Sequence, residues 1–301
     1  MSRIHIDGAS YWVQIGGEGP PVLLIHGFTG SALDWAPFLP ALQKKATTIA
    51  VDLLGHGQSD SPVDPARHAV ERQAADLAAI LRRLGASPAA VVGYSLGARV
   101  ALRMAVAQAG VVARLLLEGP SAGIEDAADR TARRAADEQL AQLLEQRGIE
   151  AFADRWASLP LFASERLLPQ EARYSLRAAR LANDPEGLAA SLRGAGQGSM
   201  EPLFGRLGRV KAPTLVAAGT LDETGRLRAE DISAAIPGAR LNLIEGAGHA
   251  VHREAPDRFK AILLDLVAWP PSGPPRSAGG PPPGAGGPPL TLLDSGERKP
   301  T

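Results

Sequence analysis

The sequence has no cysteine and no excess charge of either sign. The absence of Cys among 301 residues excludes disulfides, thiolate metal sites and a cysteine nucleophile. The 32 basic residues balance the 32 acidic ones, so net charge favours neither a nucleic acid nor an anionic membrane as a partner. A small molecule remains the expected partner, and the sequence is silent on oligomeric state.

Long uncharged apolar runs are also missing. No segment approaches the roughly 20 residues that span a bilayer, and residues 1–7 are typical neither of a signal peptide nor of a membrane anchor. We therefore expect a soluble, cytoplasmic protein. Its 45% hydrophobic content is enough for a sizeable core, and its length fits one large α/β domain or two small ones.

Residues 270–301 differ from the rest of the chain because proline and glycine dominate them. Such a segment buries too little apolar surface to offset its ordering entropy. We predict a disordered tail there, with a proline-rich docking motif as the alternative.

Short apolar runs alternate with helical patterns in residues 1–119 and 211–269. Continuous apolar runs are typical of strands buried on both faces, as in a parallel sheet. Alternation with helices predicts a doubly wound, mostly parallel α/β sheet. The six apolar runs are 22–25, 48–51, 89–92, 115–117, 214–218 and 241–244.

Residues 120–210 break this alternation because they show helical patterns only. An all-helical insertion between two α/β blocks predicts a cap over the carboxyl edge of the sheet. Ligands of open α/β sheets bind at that edge.

The sequence Gly-Tyr-Ser-Leu-Gly at 93–97 lies between a predicted strand and a predicted helix. That context is typical of a nucleophile elbow, in which a strained turn exposes the hydroxyl of Ser95 at a helix N-terminus. The two flanking glycines allow the strand and the helix to approach each other. An idle serine in a glycine-rich turn is the weaker alternative.

A serine hydroxyl needs a histidine to take its proton and an acid to orient that histidine. With such elbows the chain order is Ser, acid, His. Asp222 follows the run 214–218, and His249 follows the run 241–244, so we predict the triad Ser95, Asp222 and His249. The weaker alternatives are Glu223 or Glu118 as the acid and His252 as the base.

An oxyanion hole requires two N–H groups. We assign one to Leu96, directly after the serine, and the other to Phe28, in the loop after the run 22–25. We expect His26, Asp52 and His56 to have structural roles in neighbouring loops.

The elbow, the loops around His26 and His56, Asp222 and the pair Gly248-His249 together resemble the α/β-hydrolase superfamily over about 1–269. Finer features are similar to the 2-succinyl-6-hydroxy-2,4-cyclohexadiene-1-carboxylate synthase family of menaquinone biosynthesis. They are Tyr94 before the serine, Arg99 four residues after it, and the cap segments 156–162, 180–183 and 194–198. Ala98 departs from the second glycine that is usual in that family.

This resemblance implies a lyase that needs neither a metal nor an organic cofactor. It would remove a ring proton from 2-succinyl-5-enolpyruvyl-6-hydroxy-3-cyclohexene-1-carboxylate and expel pyruvate, with Ser95 acting as a base. A substrate with three carboxylates needs several cations, preferably guanidinium groups. By match to the family we expect it to bind Tyr94, Arg99, Arg130, Arg133, Trp156 and Arg180.

Two other functions remain open on the sequence alone. One is a carboxylesterase or C–C bond hydrolase that uses Ser95 as a true nucleophile. The other is a non-catalytic binding protein of the same fold, although such proteins usually lose a member of the triad.

Overall fold

The computed structural model describes residues 1–269, and the predicted tail at 270–301 lies outside this range. The described residues form an eight-stranded sheet in the order β1-β2-β4-β3-β5-β6-β7-β8. The strands are β1 (Ser2–Ile6), β2 (Ala9–Gly16), β3 (Pro21–Ile25), β4 (Thr47–Val51), β5 (Ala89–Tyr94), β6 (Val112–Glu118), β7 (Thr214–Gly219) and β8 (Arg240–Ile244).

Strands β3 to β8 coincide with the six predicted apolar runs and pair in parallel, which confirms the mostly parallel sheet. Strands β1 and β2 were not predicted. They form an antiparallel hairpin, and β2 also pairs antiparallel with β4. β1 has only one buried residue, so it lacks the continuous apolar run of a strand covered on both faces.

Helices cover both faces of the sheet. The α-helices within residues 1–269 are α1 (Leu39–Leu42), α2 (Val70–Arg83), α3 (Leu96–Ala107), α4 (Ala127–Ala157), α5 (Gln170–Leu181), α6 (Pro185–Ala195), α7 (Glu223–Ala235), α8 (Val251–Glu254) and α9 (Pro256–Ala268). None of the helices in this part of the chain is long and apolar enough to cross a membrane.

Alternate residues of one strand enter different cores. Leu23 packs with α2 and α3 on one face, whereas its neighbour Leu24 packs with Trp35 and Phe259 on the other. Because successive strand residues point to opposite faces, a strand covered on both faces must be apolar throughout. This explains why the continuous runs predicted the buried strands.

The chain between β6 and β7 is helical, as the sequence pattern suggested. Helices α4 and α6 and the segment 160–167 share an apolar cluster, which includes Phe152 and Trp156 and contacts Phe28 of the core. The cap boundary at 210 stays a prediction. Leu207 and Val210 are buried in the core cluster that contains α3, because these apolar side chains fill the space beside it.

Candidate active site

Ser95 occupies a strained turn between β5 and α3. Its φ of 48° and ψ of −104° lie in a region that residues other than glycine rarely adopt. The Ser95 N–H donates to the carbonyl oxygen of Glu118 at 2.9 Å, which fixes the turn to the end of β6. The serine is half-buried, so a small molecule can reach its hydroxyl.

Both glycines of the elbow are required by close backbone contacts. A Cβ atom at Gly93 would collide with the backbone of Gly97, and one at Gly97 would collide with the carbonyl groups of Ile25 and His26. Any side chain at either position would therefore push the turn away from the ends of β3 and β5. This is the close approach that the sequence motif predicted.

Ser95, His249 and Asp222 form a continuous hydrogen-bonded relay. The Ser95 Oγ lies 3.0 Å from Nε2 of His249, and Nδ1 of His249 lies 2.7 Å from Oδ2 of Asp222. An ionised carboxylate only accepts hydrogen bonds, so Nδ1 carries a proton. Nε2 is then free to accept the proton of Ser95, which is the geometry a histidine base needs.

Asp222 is held in its ionised form. Its other oxygen accepts the N–H of Gly225 at 2.9 Å, and the side chain caps the start of α7. Burial alone would raise the pKa of Asp222, but the hydrogen bond and charge of His249 and the N–H of Gly225 lower it below its ordinary value. The carboxylate therefore stays charged at neutral pH and orients His249.

Glu118 and His252, the alternative acid and base, are hydrogen-bonded to each other. Glu118 accepts both the backbone N–H and the Nδ1 proton of His252, each at 2.8 Å, and the two side chains are almost completely buried. Glu223 is exposed at the start of α7. None of these three side chains makes a hydrogen bond to Ser95 or His249.

Phe28 and Leu96 line the same cavity as Ser95. Within residues 1–269, no backbone or side-chain group accepts a hydrogen bond from the N–H of either residue. Two unpaired N–H groups beside a reactive hydroxyl can stabilise negative charge on an oxygen atom. We therefore retain both as the candidate oxyanion hole.

His26 holds the loop that carries Phe28. Its Nε2 accepts the N–H of Leu53 at 2.9 Å, so Nδ1 carries the proton and donates to the carbonyl oxygen of Gly27 at 2.7 Å. Asp52 and His56 likewise bond to backbone groups nearby. All three side chains stabilise loops, and none of them is hydrogen-bonded to the Ser95 hydroxyl.

The cavity above Ser95 is lined by guanidinium groups and aromatic rings. Among the residues that the structure describes, the cations at its wall are Arg99, Arg133 and Arg228. Phe28 packs against Trp156 with their ring centroids 5.1 Å apart. The loop at 26–30, which carries Phe28 and is called the oxyanion loop below, therefore contacts the cap directly. Such a cavity suits an anion that also carries an apolar ring.

Arg99 is buried one helical turn after Ser95. Its guanidinium donates to the carbonyl oxygen of Ala195 in α6, and the structure pairs it with no carboxylate among residues 1–269 at salt-bridge distance. Burial is the main reason why the pKa of Arg99 falls to about 10, with Arg133 acting in the same direction. The group is still a cation at neutral pH and can bind a carboxylate.

Arg133 is positioned by its neighbours in the cap. Its Nε donates to Asp137 at 2.9 Å and its Nη1 to the side chain of Gln197 at 3.1 Å. Burial raises the pKa of Asp137, although Arg133 and Arg99 oppose that effect. These contacts leave Arg133 at the cavity wall with capacity for a further acceptor.

Tyr94 and Trp156 also lie at the cavity wall, as expected. The indole N–H of Trp156 is buried and has no acceptor within the described part of the chain. Burial raises the pKa of Tyr94 well above its ordinary value, so its hydroxyl remains protonated. Both side chains therefore offer hydrogen-bond donors to a bound molecule.

Two predicted binding residues do not line this cavity. Arg130 donates to the carbonyl oxygens of Ile124 and Glu125, which lie just before α4. Arg180 is buried against Glu165, with hydrogen bonds of 2.8 and 3.0 Å to its two oxygens. These contacts lie inside the protein and outside the cavity lining, and the binding of substrate by Arg130 and Arg180 stays a prediction.

Sequence reasoning missed Arg228 at the cavity wall. The cations predicted from the sequence lie in the cap and beside the elbow, whereas Arg228 lies on α7 of the core. Its position six residues after Asp222 was the available signal, because a helix that begins at a triad residue runs beside the site. Ser191 and Gln197 of the cap were missed as well.

Comparison with known proteins identifies the family. The model of the alpha/beta hydrolase fold family matches residues 20–256. A Bacillus subtilis (strain 168) protein, provisionally named 2-succinyl-6-hydroxy-2,4-cyclohexadiene-1-carboxylate synthase, is 35% identical over 89% of this chain and 99% of its own. A Yersinia pestis (strain Pestoides F) protein named as that synthase is 31% identical, over 86% and 91%. The chain belongs to this synthase family.

A solved member of the synthase family has the same architecture. The structure of MenH from S. aureus superposes with a TM-score of 0.82 at 32% identity, covering 86% of this chain and 97% of that one. The resemblance inferred from the motifs is thereby confirmed, and so is the α/β-hydrolase fold.

Proposed function

We propose that this protein eliminates pyruvate from 2-succinyl-5-enolpyruvyl-6-hydroxy-3-cyclohexene-1-carboxylate to give 2-succinyl-6-hydroxy-2,4-cyclohexadiene-1-carboxylate, a step of menaquinone biosynthesis. The observation that carries the proposal is a Ser–His–Asp relay that opens into a guanidinium-lined cavity. The guanidinium groups would add little to the binding of a neutral ester, whereas a tricarboxylate needs cations to bind. The names of the relatives give the same activity.

The chemistry follows from the two ring structures. The proton at C2 is acidic because the succinyl carbonyl is attached there. When it leaves, its electron pair forms the C2–C3 double bond, the C3–C4 double bond shifts to C4–C5, and the bond from C5 to the enolpyruvyl oxygen breaks. The departing enolate takes a proton and becomes pyruvate. The elimination needs no external oxidant or reductant, so we assign it no cofactor.

Ser95 and His249 move the protons in this proposal. His249 takes the proton of Ser95 while Asp222 stabilises the imidazolium that forms. The Ser95 oxygen then removes the C2 proton, and the imidazolium returns its proton to the departing enolate. Each group ends in its starting state, and no acyl-enzyme is formed.

The N–H groups of Phe28 and Leu96 would stabilise the charge that develops on the succinyl carbonyl oxygen as the C2 proton leaves. Arg99 and Arg133 would bind carboxylates of the substrate, and Trp156 would contact the ring. Each of these groups contacts the space next to Ser95, so one bound molecule can meet them together.

The test is pyruvate release from the enolpyruvyl substrate, followed with lactate dehydrogenase. We expect turnover by the wild type and a loss of at least about 100-fold in Ser95→Ala. Ser199→Ala serves as the matched control, because Ser199 is exposed and bonds only to the carbonyl oxygen of Arg193. Efficient hydrolysis of p-nitrophenyl esters without pyruvate release would instead support a carboxylesterase.

A further inference from the structure

Arg228 is a cation at the cavity wall that has no hydrogen-bond or ion-pair partner in the described part of the chain. Within residues 1–269, no carboxylate lies at salt-bridge distance from it and no group accepts a hydrogen bond from it. By contrast, Arg226 on the same helix pairs with Glu230. The free guanidinium of Arg228 thus has its hydrogen-bond donors available to a ligand.

Among the charged groups around Arg228, Arg133 acts on it most strongly. Burial is the main cause that lowers its pKa, and the charge of Arg133 lowers it further. Asp222 opposes this effect, but its oxygens are occupied by His249 and the N–H of Gly225. Two like charges that line one cavity repel each other, and an anion between them would relieve that repulsion.

Neutral donors at the same cavity point to the same kind of ligand. The hydroxyl of Ser191 and the indole N–H of Trp156 are buried and unpaired within the described part of the chain, and both residues line the cavity. Buried polar groups normally have a partner. A molecule that brings several acceptor oxygens would supply these partners.

We propose that Arg228 and Arg133 together bind one carboxylate of the substrate, which makes Arg228 a specificity-determining residue of α7. This inference rests on the proposed function and deepens it. Because α7 begins at Asp222, the register of the helix fixes Arg228 relative to the triad. The carboxylate is therefore held in a defined position relative to His249.

Steady-state kinetics of pyruvate release test the proposal. We expect Arg228→Ala to raise KM about 10-fold or more with a smaller change in kcat, since an interaction with a charged group is lost. Arg228→Lys should recover part of the loss, because it keeps the charge without the planar fork. The matched control Arg226→Ala should keep the wild-type KM. A wild-type KM in Arg228→Ala would overturn the proposal.

Inhibition by the two products distinguishes which carboxylate is bound. Weaker inhibition by pyruvate in Arg228→Ala would assign Arg228 to the enolpyruvyl carboxylate. Weaker inhibition by the cyclohexadiene product alone would assign it to a carboxylate that the ring retains. Unchanged inhibition by both would contradict the carboxylate site.

A failure of the proposed function can be separated from a failure of this inference. If the wild type released no pyruvate, the assigned reaction would be wrong. Calorimetric binding of succinate to the wild type and to Arg228→Ala would still test the anion site. Binding that weakens in Arg228→Ala but not in Arg226→Ala supports it, and equal binding by the wild type and both variants rejects it.

Discussion

At the scale of single residues, Asp222 links the chemistry of the site to pH. The pKa of its carboxyl group is lower in the folded protein than its ordinary value, so folding is favoured while the group is ionised. This contribution is present above the ordinary pKa of about 3.9. It is lost as the pH falls through the lower value of the folded state.

We therefore expect Asp222→Asn to be less stable than the wild type at pH 7, with a difference that shrinks as the solution is made strongly acidic. Urea unfolding of both proteins across that range measures it. A stability difference that did not change with pH would contradict the lowered pKa. At pH 7 the variant should also release pyruvate far more slowly, because an amide does not hold His249 in the required tautomer.

The arginines near the site should separate into binding and structural groups. Arg99→Ala should raise KM for the substrate about 10-fold or more, because a buried cation at the cavity wall is lost. Arg130→Ala should leave KM within about two-fold, because its guanidinium bonds to carbonyl groups of the segment just before α4. Kinetics of the two variants side by side provide the check. An equal rise in KM for Arg99→Ala and Arg130→Ala would contradict the assignment of one arginine to binding and the other to structure.

Sequence reasoning selected three residues that the structure joins by hydrogen bonds, but it missed Arg228. The triad follows from chain order and from strand ends, which are local signals. The partner of a long side chain is not local. Arg180 meets Glu165, which is fifteen residues away, and Arg228 meets no carboxylate at all within the described range. Such pairings depend on how the helices pack.

At the scale of elements, a chain of ion pairs joins the cap to the core. Arg180 of α5 bonds to Glu165, and Arg253 of α8 lies 3.9 Å from Glu165 and 3.0 Å from Asp34. Arg180 also packs over the ring of Phe162 at 5.3 Å. The network connects three segments that are distant in sequence, so its main role is to hold the cap in place.

Removing one partner should therefore affect stability more than substrate binding. We expect Arg180→Met to lower the free energy of unfolding by about 3–5 kcal/mol, because Glu165 keeps a buried charge with poorer compensation. Adding Glu165→Leu should restore part of that loss. Urea unfolding of the single and double variants measures both effects. Unchanged stability together with a large rise in KM would show that Arg180 binds substrate after all.

Asn183 connects the cap to the oxyanion loop. Its amide donates to the carbonyl oxygen of Thr29 at 3.0 Å and accepts the N–H of Gly57 at 3.2 Å. Thr29 has a φ of 65°, a left-handed conformation that needs support from its surroundings. The side chain thus fixes the loop next to Phe28.

We expect Asn183→Ala to lower kcat about 10-fold with little change in KM. A misplaced N–H group reduces the stabilisation of the transition state more than it reduces the affinity for substrate. Asn183→Asp should recover only the contact with Gly57. A KM that rose while kcat stayed constant would argue against a role through the oxyanion loop.

At the scale of the whole molecule, sheet order assembles the site. Ser95, Asp222 and His249 follow β5, β7 and β8, whose carboxyl ends lie along one edge because these strands are parallel. Residues 154 positions apart in the chain, Ser95 and His249, thereby come within hydrogen-bonding distance. The apolar runs were enough to predict this edge. The hairpin of β1 and β2 was not predictable, since β2 is placed by its pairing with β4, an element elsewhere in the sequence.

In the proposed reaction Ser95 removes the C2 proton as pyruvate departs. The most direct measurement is the single-turnover rate of pyruvate release from substrate that carries hydrogen or deuterium at C2. We expect slower release from the deuterated substrate, because the C–H bond breaks in the chemical step. Equal rates, with a covalent adduct on the peptide that contains Ser95, would contradict it.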